Sequence, residues 1–295
     1  MTTATPARPK KNTMTEEDVG NIMLLEHVNV QVPDQQVATL FYLVGMGFTR
    51  DPHMMVGLEN MWVNLGEQQF HLPTNPAQVL RGHVGIVVPD PQSLLERLEA
   101  VKPRLAGTQF DFVNRDEYIE VTSPWGNKLH CYGPGEFGSL TLGMPYVQFD
   151  VPRGTTPGIA AFYEKALGAH TSVRKGAEGS SAVVQVGLYQ EIVYKEGDNV
   201  EPKYDGHHIA IYIADFSSVY KFLSERGLVT EEPANHQLRF KEIVNPKTNE
   251  PLFTIEHEVR SLRHPQYRRP LVNRNVGQYL EPRRVGNQTV MGMVM

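Results

Sequence analysis

The sequence predicts an α+β fold of two tandem domains, built from one unit used four times: a strand, a helix, then a few antiparallel strands. Two observations carry this. The stretches HVNVQVPD (27–34) and YVQFDVPR (146–153) are alike, and each leads into a helical run with the same internal spacing. In the first run Phe41-Tyr42 is followed by Gly47, and in the second Phe162-Tyr163 is followed by Gly168. The offset, about 120 residues, is that of a repeated domain rather than a solenoid. Each half also contains a shorter echo: GHVGIVVPD (82–90) before the helical SLLERLEAV (93–101), and HHIAIYIAD (207–215) before SSVYKFLSERG (217–227).

Element by element, strand-helix units start near 27, 83, 146 and 208. Between them the alternation predicts strands over Met61–Leu65, Gln69–Leu72, Tyr118–Val121, Lys128–Tyr132, Ala182–Val186, Glu191–Tyr194 and Leu252–Glu256. Glycine and proline cluster in GPGEFGSLTLGMP (133–145), which marks the domain boundary. Residues 1–22 read as a disordered tail, 23–135 and 143–260 as the two domains, and 261–295 as a C-terminal tail.

Composition narrows the function. The net charge is −5 and the basic residues are scattered, which disfavours a nucleic-acid or anionic-membrane partner. The single cysteine excludes an internal disulfide and a cysteine-based zinc site. The basic start (Arg8, Lys10, Lys11) is not followed by an apolar run, so a cytoplasmic protein is expected.

Side chains on a strand alternate between faces. In all four units one face is aliphatic, as in Val28/Val30/Val32 or Ile209/Ile211/Ile213. The opposite face begins with His27, His83, Tyr146 or His208. A ring at the same first position each time is explained by a concave face these positions line. His71 and His130 lie on late strands, so His27, His71, His83 and His130 all fall on strand faces of one half. Four imidazoles so placed form a constellation that binding of a first-row divalent metal explains.

At these residues the chain resembles the glyoxalase/bleomycin-resistance/extradiol-dioxygenase (vicinal oxygen chelate) superfamily. GHVGIVVPD (82–90) is similar to the strand that carries a metal histidine in glyoxalase I, and SPWGNKLHCYG (123–133) to the superfamily's closing DPxGNxxE strand. The resemblance spans roughly residues 25–260 and implies tandem glyoxalase-type domains, four βαβββ modules forming half-open cups around a metal. Metal ligands in that family come from the first and last strands of each module. Carried over, the places fall on His27, His71, His83 and His130, a site in the N-terminal domain.

The pattern departs from the family in both halves. The family usually has Glu where His130 stands, and glyoxalase I has Glu where His71 stands. In the second half Tyr146 holds the first ligand place and Ile192 falls near the place matching His71. That leaves His208 and Glu256 as second-cup candidates in a degenerate site. Modules of this family also pair across domains, which would bring His208 and Glu256 beside His27 and His71.

The expected function is that of a metal-dependent enzyme acting on a small oxygenated organic substrate, leaning to an extradiol-type dioxygenase with Fe(II). A glyoxalase-like lyase or isomerase using Ni, Zn or Mn stays open, as does a non-catalytic small-ligand-binding protein. A proton shuttle without a ligated carboxylate needs another base, for which Glu120 in EYIEVT is the candidate. Edge strands of open cups leave a homodimer open.

Overall fold

The VPD and AD sequences that close the leading strands act as helix starts because their aspartates accept from backbone N–H groups of the first turn. Asp34 takes Gln36 N and Val37 N, Asp90 takes Gln92 N and Ser93 N, and Asp215 takes Ser218 N. In this computed structural model residues 18–54, 59–177, 179–198, 200, 203–232 and 236–273 are described in full, with the backbone of 283–285 and 288–290.

The first module comprises β1 (Ile22–Asn29), α1 (Gln35–Ala38) continuing as a π-helical turn over Thr39–Gly45, β2 (Thr49–Arg50), β3 (Asn60–Leu65) and β4 (Gln68–Pro73). The second comprises β5 (Gly82–Val87), α2 (Pro91–Val101), β6 (Asp111–Asn114), β7 (Ile119–Thr122) and β8 (Lys128–Tyr132). The third comprises β9 (Gly143–Pro152), α3 (Thr156–Leu167), β10 (Thr171–Gly176), β11 (Gly179–Gln185) and β12 (Glu191–Gly197). The fourth comprises β13 (His208–Ile213), α4 (Phe216–Ser224), β14 (Val229–Glu231), β15 (Gln237–Val244) and β16 (Pro251–Ser261). A hairpin of β17 (Arg283–Val285) and β18 (Gln288–Val290) follows. The α+β tandem glyoxalase-type fold is thus the observed one, with four modules and two open eight-stranded sheets.

The pairing of modules, however, runs across the two halves. One sheet has the order β14-β15-β16-β13-β1-β4-β3-β2, joining modules one and four. The other has the order β10-β11-β12-β9-β5-β8-β7-β6, joining modules three and two. The central seams are antiparallel, β1 with β13 and β5 with β9. Within each module the first and last strands pair in parallel. Each cup therefore takes one module from the N-terminal half and one from the C-terminal half, not two from the same half.

The aliphatic strand faces form the core as expected. Val28, Val147, Phe149, Ile209 and Ile211 are buried under the helices, with Phe162, Phe240 and Tyr163. Residues 261–273, expected as the start of a tail, pack back over the first sheet. Arg269 pairs with Asp51 at 2.7 Å, and Asn273 and Gly66 exchange two hydrogen bonds of 2.9 and 3.0 Å. Residues 1–17 of the expected N-terminal tail lie outside the described residues.

Candidate metal centre

Directly opposed residues on neighbouring strands face the same side of a sheet. In the first sheet this puts His71, Asn29, His208 and Glu256 in one row across β4, β1, β13 and β16. The next row is Gln69, His27, Ala210 and Glu258. His27, His71 and His208 each offer a ligand atom, all within 4.8 Å of one another. Two ligands at roughly 2.1 Å from one ion are at most about 4.2 Å apart, so small rotations draw the set together.

Glu26 fixes the tautomer of His27. A register shift between Leu25 and His27 marks a bulge in β1, which brings Glu26 to the same side as its neighbour. His27 Nδ1–H donates to Glu26 Oε2 at 2.8 Å, because an ionised carboxylate only accepts. The lone pair is therefore on Nε2, which is buried with no hydrogen-bond partner, as is Nε2 of His208. Orphaned imidazole nitrogens within one cluster of three histidines fit a metal better than they fit a core. His71 is held differently: Asn29 Nδ2 donates to its Nδ1 at 2.7 Å and its Nε2–H donates to Asn60 Oδ1 at 2.6 Å. Trp62 stacks on His71 with centroids 3.9 Å apart and meets the edge of His27 at 4.9 Å.

Burial lowers the pKa of His71 to about 2, with the positive charges of Arg260 and Arg239 adding to it. The same causes take His208 well below its ordinary value. Both rings are neutral at pH 7, which is the ligand form. Beyond them lies a charge network. Arg260 bridges Glu26 and Glu258, while Arg239 reaches Glu258 at 2.6 Å and also pairs with Glu256. Lys241 contacts Glu256 at 3.2 Å, and Tyr212 O–H donates to Glu26 at 3.0 Å. Burial pushes the Glu26 and Glu258 carboxyls upward, but the His27 bond and the arginines outweigh it and leave both below the usual range. Glu256 and Glu258 stand 3.6 and 3.7 Å from the His208 ring nitrogens.

The four histidines expected to form one site are not together. His83 and His130 lie in the second sheet, stacked face to face with centroids 3.8 Å apart. Stacked rings direct their lone pairs side by side rather than toward one ion. Tyr118 stacks on the other face of His130 at 4.3 Å, and Tyr146 O–H bonds His83 Nε2 at 3.1 Å and Tyr132 at 2.9 Å. Glu120 is opposite His130 and pairs with Arg115 at 3.4 Å, so it too sits in the second sheet, away from the three-histidine cluster. His71 is opposite Asn29, whose counterpart in the second half is Gln148, so the place matching His71 is Val193, one residue past Ile192, which is buried on the other face. Sequence reasoning missed Glu26, Glu258, Arg239 and Arg260. Glu258 and Arg260 were legible as i+2 and i+4 from Glu256, while Glu26 is exposed only by the bulge.

The sequence matches no protein-family model and no curated protein. The fold does match solved structures. Glyoxalase I from Zea mays aligns with a TM-score of 0.54 at 15% identity, covering 80% of this chain and 92% of that one. A putative dioxygenase from Bacillus subtilis aligns with a TM-score of 0.52 at 17% identity, covering 82% of this chain and 86% of that one. With four βαβββ modules, two open cups and these neighbours, the chain has the fold of the glyoxalase/bleomycin-resistance/extradiol-dioxygenase (vicinal oxygen chelate) superfamily.

Proposed function

We propose that this protein is a metal-dependent enzyme that acts on a small oxygenated organic substrate by extradiol-type dioxygenation, with the metal held in the first cup. The observation that carries the reading is the pair of orphaned Nε2 atoms of His27 and His208 beside His71. These residues would hold the ion, His71 by exchanging its Asn29 bond, with Glu256 the carboxylate in the same row. Imidazoles with a nearby carboxylate suit Fe(II), and accept Ni, Zn or Mn. A bound divalent ion would supply Lewis acidity toward two adjacent oxygens and, if redox-active, one-electron chemistry.

The carboxylates favour the oxygenase over the lyase. A glyoxalase-type isomerisation needs a base to carry a proton between neighbouring carbons. Glu26, Glu256 and Glu258 are each tied to an arginine, and the depressed pKa values of Glu26 and Glu258 make them weak bases. The same three carboxylates are balanced by Arg239, Lys241 and Arg260. A dication added to a neutral cup favours a substrate with anionic, chelating oxygens, such as a catecholate. Trp62 against His71 offers the apolar surface such a ring would meet.

The test is oxygen consumption by protein loaded anaerobically with Fe(II) and then given catechols. Uptake that depends on both iron and catechol is expected. No uptake, together with turnover of an α-hydroxy carbonyl substrate by the Ni, Zn or Mn form, would replace this reading with the isomerase.

A further inference from the structure

Arg81, at the seam between the two sheets, is a buried cation that forms no ion pair with any of the described residues. The residue is 7% exposed, and its Nε has no hydrogen-bond partner. One of its terminal nitrogens donates to the carbonyl of Thr254, and the guanidinium lies 4.1 Å from the Phe253 ring centroid and 5.4 Å from that of Tyr204. Among the described residues no carboxylate is within ion-pair distance of it. The acids whose charge reaches it, Asp205 and Glu242, are committed elsewhere. Asp205 accepts from His207 Nδ1 and Val79 N, each at 2.7 Å, and Glu242 accepts from the Thr254 hydroxyl at 3.1 Å. Such an arrangement is costly for an empty site and is explained by a ligand that brings the missing negative charge.

The surroundings say what kind of ligand. Arg81 lines a cavity of about 340 Å³, at the small end of the range for metabolite sites. Its polar members are Arg81, Lys203, Tyr204 and Thr254, and its walls include Pro152, Leu252 and Phe253. Tyr204 oxygen accepts from Glu256 N at 3.2 Å, which leaves its own proton for an acceptor in the cavity. Two cations and a phenol among apolar walls match a small organic acid: a carboxylate head on an apolar body. We propose that this cavity binds the carboxylate of a small organic acid, with Arg81 and Lys203 as the anion-recognising groups. The site is separate from the first cup, although Glu256 of the cup row and Thr254 of the cavity share β16.

The test is thermal unfolding of the full chain titrated with benzoate at constant ionic strength, in excess EDTA so that no metal in the cup can bind the acid. Wild type should show a rise in Tm that saturates. Arg81→Met should fold, be no less stable without ligand, and show no benzoate response. Lys203→Ala, an exposed position, should keep the response with its half-saturating concentration raised about tenfold, the loss of one charge-assisted contact. Inorganic phosphate, which has no apolar body, should give a weaker effect. If Arg81→Met fails to fold, Lys203→Glu decides, and its response should vanish. A Tm rise that never saturates, a response unchanged in these variants, or phosphate acting as strongly as benzoate overturns the assignment.

Discussion

His27 and His208 face each other across the antiparallel seam of β1 and β13, with ring centroids 5.7 Å apart and both Nε2 atoms buried and unbonded. Neither side chain belongs to the same half of the sequence, and their meeting defines the candidate centre.

If these rings hold the metal, His27→Ala or His208→Ala lowers bound metal to a small fraction of one equivalent, measured by elemental analysis after dialysis. His83→Ala leaves metal content at the wild-type level, since its ring is stacked on His130 in the other sheet. Retention lost in His83→Ala and kept in His208→Ala would reverse the assignment.

If His27 holds the metal, Glu26 orients that ligand without being one. Glu26→Gln keeps the size of the side chain but weakens its hold on the His27 Nδ1–H. Loss of such a partner costs about 10- to 100-fold in metal affinity, so a competition titration with a chromophoric chelator should show a shift in that range. An unchanged affinity would mean that the carboxylate serves only its pair with Arg260.

Acid should destabilise the fold through its buried histidines. Burial holds His257 at about 3, although the Ile255 carbonyl hydrogen bond works the other way, and His264 is lowered to about 4 by burial and Arg260. The unfolded chain takes up protons near the ordinary value of about 6.5, before the folded chain does. Stability is therefore full above about 6.5 and falls as pH drops toward those folded values, by roughly 1.4 kcal/mol per pH unit for each such group. Urea midpoints at pH 7.5 and 5.5 measure the slope, and His257→Gln should flatten it.

Arg269→Ala tests the returning segment. Asp51 has a fully buried side chain that also accepts from His53 N, Met54 N and Gln69, so removal of the arginine strands a partly satisfied charge. Breaking a buried pair costs about 3 kcal/mol or more, and urea unfolding should show a loss near that size. The variant should also be cut faster by protease within 261–273; equal cutting rates would show that the segment is held by its other contacts.

Much of the architecture was legible because it is local. Alternation placed His27, His83 and His208 on the polar faces of their strands, and the runs after those strands placed the helices, since a strand's faces and a helix's periodicity depend on neighbours a few residues away. β15 escaped because its alternation is broken by the irregularity between Phe240 and Glu242, and Glu26 because a bulge turns a residue that simple alternation assigns to the other face.

What the sequence alone determined is the set of four modules and the face each ring occupies. Which modules share a cup was decided only by tertiary structure: β1 pairs with β13 and β5 with β9, so His27 and His71 meet His208 while His83 and His130 meet Tyr146. The physical reason is that four similar strands offer similar edges to one another. The choice among them rests on burial and pairing over separations of more than 100 residues, such as the Arg260 bridge to Glu26, and no local periodicity records it.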